Sequence, residues 1–181
     1  MIILAIVTLT LIGIGIVTSS RDTEPSAVRA TPNVSTMKST APRSLQTWIS
    51  RINDICALAK PKLAAEKARH ETARSTEDEI FGLKNAQKLL EPVVSGINLE
   101  QTPSDPEDRA KAREWVDSYN TLYEQFIASI RAIERYAELS PFEQLFAKAE
   151  LESAQQKFLD AATAAKSRSD RLGIACPGMN I

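Results

Sequence analysis

The chain has 181 residues, enough for about one domain. Its 22 basic and 23 acidic residues leave a formal net charge of −1. Nucleic-acid binding needs a clear basic excess to displace counterions, so this balance gives it no electrostatic basis. Six glycines and a charged fraction of 25% fit a helical protein better than a turn-rich β sandwich.

Ile2 to Val17, "IILAIVTLTLIGIGIV", carries no charge and is almost wholly apolar. As a helix it would span roughly 24–27 Å, near the lower limit for crossing a bilayer. Residues 1–18 are therefore expected to be a signal peptide or a membrane anchor. Thr18, Ser19 and Ser20 are small, so cleavage would fall after Ser19 or Ser20. No cysteine follows the run to accept a lipid. Arg21, Arg29, Lys38 and Arg43 alone would place the downstream part inside by the positive-inside rule. The two cysteines, considered below, point outward and are given more weight.

Residues 19–44 are rich in Ser, Thr and Pro, with Val28, Val34 and Met37 as their larger apolar residues. Such a segment cannot bury enough surface to offset the entropy of ordering it, so a disordered stalk is predicted. Asn33-Val34-Ser35 fits a glycosylation sequon that arises often by chance.

From Leu45 the period becomes helical. Leu45, Trp48, Ile52, Ile55 and Ala59 mark one face of a first helix, which should kink or break near Pro61. The run "EKARHETARST" is poor in apolar residues and reads as a solvated extension or a connection. Ser75 or Thr76, followed by Glu77, Asp78 and Glu79, starts a second helix carrying Ile80, Phe81, Leu83, Leu89, Leu90, Val93, Val94 and Ile97. Pro92 interrupts it. In "TPSDPEDRAKAREW", Ser104 or Asp105 caps and Pro106 opens a long third helix. Its stripe is Trp115, Tyr119, Leu122, Phe126, Ile130 and Ile133. "LSPFEQ" repeats the signal, with Ser140 as cap and Glu143 completing a capping box. Leu151, Ala154, Phe158, Ala161, Ala165 and Leu172 carry the fourth helix to a Gly173 cap. The expected fold class is all-α: residues 45–181 form an antiparallel up-down bundle of about four helices. It follows an N-terminal apolar helix and a disordered stalk, and its first two helices are bent at Pro61 and Pro92.

In such a bundle the start of helix 1 and the end of helix 4 lie at one end. Cys56 and Cys176 are the two cysteines of the chain, and this geometry brings them toward bridging range. Behind an export segment, two cysteines are most simply one disulfide. Two buried free thiols, or a bridge between two chains, are the alternatives. A metal site would need further ligands beyond two cysteines and the single His70.

The stretches "WISRINDICALAKPKL" and "AAKSRSDRLGIACPG" resemble the two ends of a loose set of small exported helical proteins of actinobacteria. Asn53, Asp54, Ile55 and Cys56 match the cysteine-bearing first helix; Leu172, Gly173 and Cys176 match the Leu-Gly-x-x-Cys ending. The likeness covers both edges of residues 45–178 and not the middle. Many members are lipoproteins, and this chain differs by lacking the lipidated cysteine. The resemblance implies export, helices and the disulfide, and it supplies no activity.

Catalytic patterns are thin. His70 opens "HETAR", but Arg74 stands where a zinc peptidase needs its second histidine. Glu77, Asp78 and Glu79 read as first-turn charges favoured by the helix dipole. Arg109, Lys111, Arg113, Arg131 and Arg135 interleave with Glu107, Asp108, Glu114 and Glu134 as solvated pairs. Trp115, Tyr119, Tyr123, Phe126 and Tyr136 read mainly as core, with Tyr123 and Tyr136 nearest a surface. No cofactor, metal, nucleic acid or small-molecule ligand is expected, and no enzyme activity.

The expected function is an extracytoplasmic helical interaction or structural module, tethered through residues 1–18 or secreted. An envelope protein is its expected partner. One alternative is a small exported helical enzyme of chorismate-mutase-like form, which needs several cations converging on a dicarboxylate. The other is a disulfide-linked envelope dimer. Fractionation should find the protein in the membrane, single-pass with its C-terminal domain outside, or secreted. N-terminal sequencing decides between anchor and cleavage after Ser19 or Ser20, and uncleaved protein wholly in the soluble cytosol would overturn the expectation.

Overall fold

The computed structural model of the chain describes residues 43–177. The apolar run 1–18 and nearly all of the linker 19–44 lie outside the described residues, as does the end of the chain beyond 177. Among the described residues the protein is all-helical, with five helices and no strand. They are α1 (Leu45–Ala57), α2 (Lys60–Glu71), α3 (Thr76–Leu99), α4 (Pro106–Glu138) and α5 (Pro141–Leu172). No helix among them is long and apolar enough to cross a membrane.

Local chemistry sets most of the boundaries. Ser44 caps α1, its hydroxyl accepting from Thr47 N–H. Ser75 caps α3 by accepting from Asp78 N–H, and Asp105 caps α4 by accepting from Glu107 and Asp108 N–H. At α5 the capping box is complete: the Glu143 carboxylate accepts from both the hydroxyl and the N–H of Ser140. Those hydrogen bonds hold the Glu143 carboxyl below the ordinary carboxylate range. Gly173 ends α5 with φ 71°, a left-handed conformation that only glycine adopts without strain.

Two prolines behave differently. The expected single first helix is two: α1 ends at Ala57, and Pro61 sits in the opening turn of α2, where its missing N–H costs nothing. Pro92 lies inside α3 without ending it. It faces solvent, so the Lys88 carbonyl that loses its partner can be hydrated.

The helices pack as a bundle. α4 and α5 lie against each other, α3 packs on both α2 and α4, and α1 packs on α3 and α4. The largest core cluster joins Trp48, Ile49, Ile52 and Cys56 of α1 to Val93 and Ile97 of α3, Trp115 and Tyr119 of α4, and Ile174 and Cys176. Smaller clusters continue along α4 around Phe126 and Ile130, Leu122 and Ala165, and Ile133 and Leu151. α2 contributes no buried residue; Leu63 is its partly buried link to the core.

Two glycines of α3 should respond oppositely to substitution. A Cβ at buried Gly82 would meet no atom within 4 Å, whereas one at Gly96 would press on Ile55 Cγ2 at 3.1 Å. Gly82→Ala should raise unfolding stability by about 0.5–1 kcal/mol through helix propensity. Gly96→Ala should lose that gain to crowding, as read from paired denaturant melts.

Candidate functional site: the clamp on the C-terminal segment

Residues 173–177, which follow α5, are tied to the bundle. Gly173 turns the chain, and Ile174 N–H donates to the Ser169 carbonyl at 3.0 Å, satisfying the last turn of the helix. Ile174 and Cys176 are both buried in the main core cluster. Cys176 meets Cys56 at disulfide-bonding distance, with the Cα atoms 4.8 Å apart and 120 positions between them in sequence. Cys56 is wholly shielded from solvent by the α1 face it shares with Trp48 and Ile52.

Three polar side chains support this contact. Asn53, one turn before Cys56 on α1, donates through Nδ2 to the Gly173 carbonyl at 3.2 Å. Its Oδ1 accepts from Ala175 N–H at 2.7 Å. One amide thus satisfies backbone on both sides of Ile174. Tyr119 of α4 donates its hydroxyl to the Pro177 carbonyl at 2.9 Å. Burial pushes the Tyr119 phenol well above its ordinary range, so it remains a donor across physiological pH. Trp115 Nε1 donates to Ser169 Oγ at 2.7 Å, fixing the last turn of α5 against α4.

Beneath the clamp lies an aromatic stack. Trp48 meets Trp115 edge to face, with centroids 5.8 Å apart and planes at 80°. Trp115 stacks on Tyr119 at 5.3 Å and 20°. Both geometries favour the ring quadrupoles. At the entry to α1, Arg43 N–H donates to Ser104 Oγ at 2.9 Å, Ser104 N–H returns to the Arg43 carbonyl at 3.0 Å, and the Arg43 guanidinium pairs with Glu100. The start of the described chain is therefore fastened to the end of α3 and the loop before α4, and its end to the main core cluster.

No family model, curated protein or solved structure matches this chain. Its function must be argued from its own side chains.

The other residues singled out in the sequence fall in different places. Glu77 and Asp78 are exposed in the first turn of α3, as first-turn charges should be. Glu79 is not: it is 3% exposed, and burial raises its carboxyl above the usual range. All three stand in the first turn of α3, as expected; what was not expected is the burial of Glu79, which lies where α3 meets α2. His70 interacts electrostatically with Glu79 from across that contact. Among the described residues no group of three His, Cys, Asp or Glu side chains is placed to hold a metal ion. On α4, Lys111 pairs with Glu107 at 2.8 Å. Arg135 pairs with Glu150 at 2.8 Å, and Arg109 donates to the Pro103 and Ser104 carbonyls. Tyr123 and Tyr136 are half-buried against core clusters.

The sequence reading missed one feature. Phe142, Leu145 and Phe146 in the first turns of α5 are 69%, 73% and 73% exposed. Phe142 and Phe146 pack edge to face on each other at 5.1 Å. Their three- and four-residue spacing was the available signal. It fell outside the stripe that begins at Leu151, and so it marks a second face of α5.

Breaking the clamp should show as stability. Cys176→Ala, or reduction, should lower unfolding stability by a few kcal/mol, with a ceiling of about 5 kcal/mol for a loop of this length. Asn53→Ala should cost about 1–2 kcal/mol for two lost backbone partners. Non-reducing mass spectrometry of protein from its native host should find no alkylatable thiol, and two such thiols would show that the sulfurs are not bonded.

Proposed function

We propose that this chain is a helical interaction or structural module that works outside the cytoplasm. It is tethered by the apolar run 1–18 or released after it. In this reading the helices run up and down as a bundle, and the Cys56–Cys176 contact is a disulfide. The likeness of both chain edges to small exported actinobacterial proteins supports the same address. The observation that carries the interaction role is the apolar stripe Phe142–Leu145–Phe146. Three large side chains exposed side by side on one helix leave a contiguous surface that water wets poorly, a feature typical of surfaces that meet a partner. Mutual packing of the two phenylalanines covers only a small part of it.

Two alternatives fit the side chains less well. A chorismate-mutase-like enzyme needs cations converging on a dicarboxylate. Here Lys111, Arg135 and Arg168 pair with Glu107, Glu150 and Glu114 at the surface, and Arg109 is engaged by backbone carbonyls. A disulfide-linked dimer would require Cys56 and Cys176, which face each other within one chain, to part.

The stripe also lies far from where the chain enters the bundle. Arg43 is fastened to the loop before α4, and α4 is a 33-residue helix, so its other end stands about 50 Å away. Phe142 follows that far end.

A photocrosslinking residue at Phe146 in the native host should trap a discrete partner. The same residue at exposed Gln156, two to three turns away, should not. Phe142→Ser with Phe146→Ser should abolish the adduct while leaving the melting temperature within a few degrees, since neither ring supports the core. Equal labelling from both positions would overturn the reading.

A further inference from the structure

The contact between α2 and α3 is short of apolar burial. α2 buries no residue, and its N-cap, Ala59, offers no side-chain hydrogen bond. Facing it, α3 buries a carboxylic acid: Glu79 is 3% exposed, and its Oε2 has no hydrogen-bond partner. On α2, Glu66 Oε2 and His70 Nδ1 are also buried without a hydrogen-bond partner. Gly82 is one turn from Glu79 on α3, buried, with open space where a Cβ would stand. Helices that meet through orphaned polar atoms and a gap are held weakly, and local opening begins at such contacts.

We propose that the α2–α3 contact is a proton-sensitive hinge. α2 docks on α3 while the Glu79 carboxyl is protonated, and it loosens when that carboxyl ionises. A neutral carboxyl tolerates this site, whereas a carboxylate there has been taken out of water with no hydrogen bond to its Oε2. Burial is the larger influence and favours the neutral form; the charge of His70 opposes it. α2 carries Lys60, Lys62, Glu66, Lys67, Arg69, His70 and Glu71, and the Lys84–Glu134 pair joins α3 to α4. Glu66 is engaged by Arg69, and His70 is the one whose charge acts on Glu79. Because the folded carboxyl titrates above its unfolded value, its contribution to docking is complete in acid and is lost as pH rises through the folded value. Among the described residues the rest of the bundle, with the Cys56–Cys176 clamp and the aromatic stack, buries no other carboxylic acid and stays closed. Opening is therefore confined to α2 and its flanking turns.

Amide hydrogen exchange on the full chain, corrected for intrinsic pH dependence, tests this between about pH 4.5 and pH 8. Protection of residues 60–75 should fall with rising pH, by up to about tenfold for each unit by which the fold raises the carboxyl. Protection of α4 and α5 should not change over the same range. In Glu79→Gln the α2 amides should keep their acid-level protection at every pH. His70→Gln, which removes the opposing charge, should move the midpoint to higher pH. Protection of α2 that is flat with pH in the native chain would overturn the proposal, as would an unchanged pH dependence in Glu79→Gln or an unmoved midpoint in His70→Gln.

Discussion

Burial of the C-terminal segment against α1 is the constraint on which the rest of the bundle depends. Ile174 and Cys176 join the same buried cluster as Trp48, Ile52 and Cys56 of α1 and Trp115 and Tyr119 of α4. That cluster also holds the two largest fully buried side chains, Trp48 and Trp115. Truncating residues of that size in a core costs about 3–5 kcal/mol each. The cysteine contact joins positions 120 apart in sequence; as the disulfide proposed above, it would act mainly by restricting the unfolded chain. Asn53 then supplies hydrogen bonds to backbone groups that no helix can satisfy there.

That arrangement divides the bundle into unequal parts. Around the clamp the contacts are large, aromatic and fully buried. Away from it, α5 relies on alanines such as Ala161 and Ala165, which allow close approach to α4 but bury little area. α2 lies at the other extreme, held by Leu63 and facing a buried acid. Stability in a structure of this kind is local, and an element with few apolar contacts opens before the others. The proton-sensitive hinge and the rigid clamp are thus two outcomes of one uneven distribution of apolar surface.

The exposed Phe142, Leu145 and Phe146 belong to neither part. They stand on the first turns of a helix whose own start is secured by the Ser140–Glu143 box. A capped helix start is rigid, so the stripe is presented without the entropy cost that a loop would carry on binding. This separation of a stable scaffold from a presented surface suits a module that binds rather than one that encloses a substrate.

Much of this was legible in the sequence. Ser75 or Thr76, Ser104 or Asp105, Ser140 and Gly173 marked helix ends because capping is decided within four residues, and the structure chooses Ser75 and Asp105. The stripe from Trp115 to Ile133 announced the buried face of α4 because a helix repeats every 3.6 residues. The proximity of Cys56 and Cys176 followed from returning the chain to its starting end. Other features depended on which face met which neighbour. Glu79 has the same local sequence signature as exposed Glu77 and Asp78, and only its position opposite α2 buries it. Phe142 and Phe146 look like core residues, but α5 turns them away from α4. Pro92 reads as an interruption, yet α3 runs on through it, with that face open to water. Local backbone chemistry is written in neighbouring residues; burial is decided by partners many positions away, and only the folded chain brings these together.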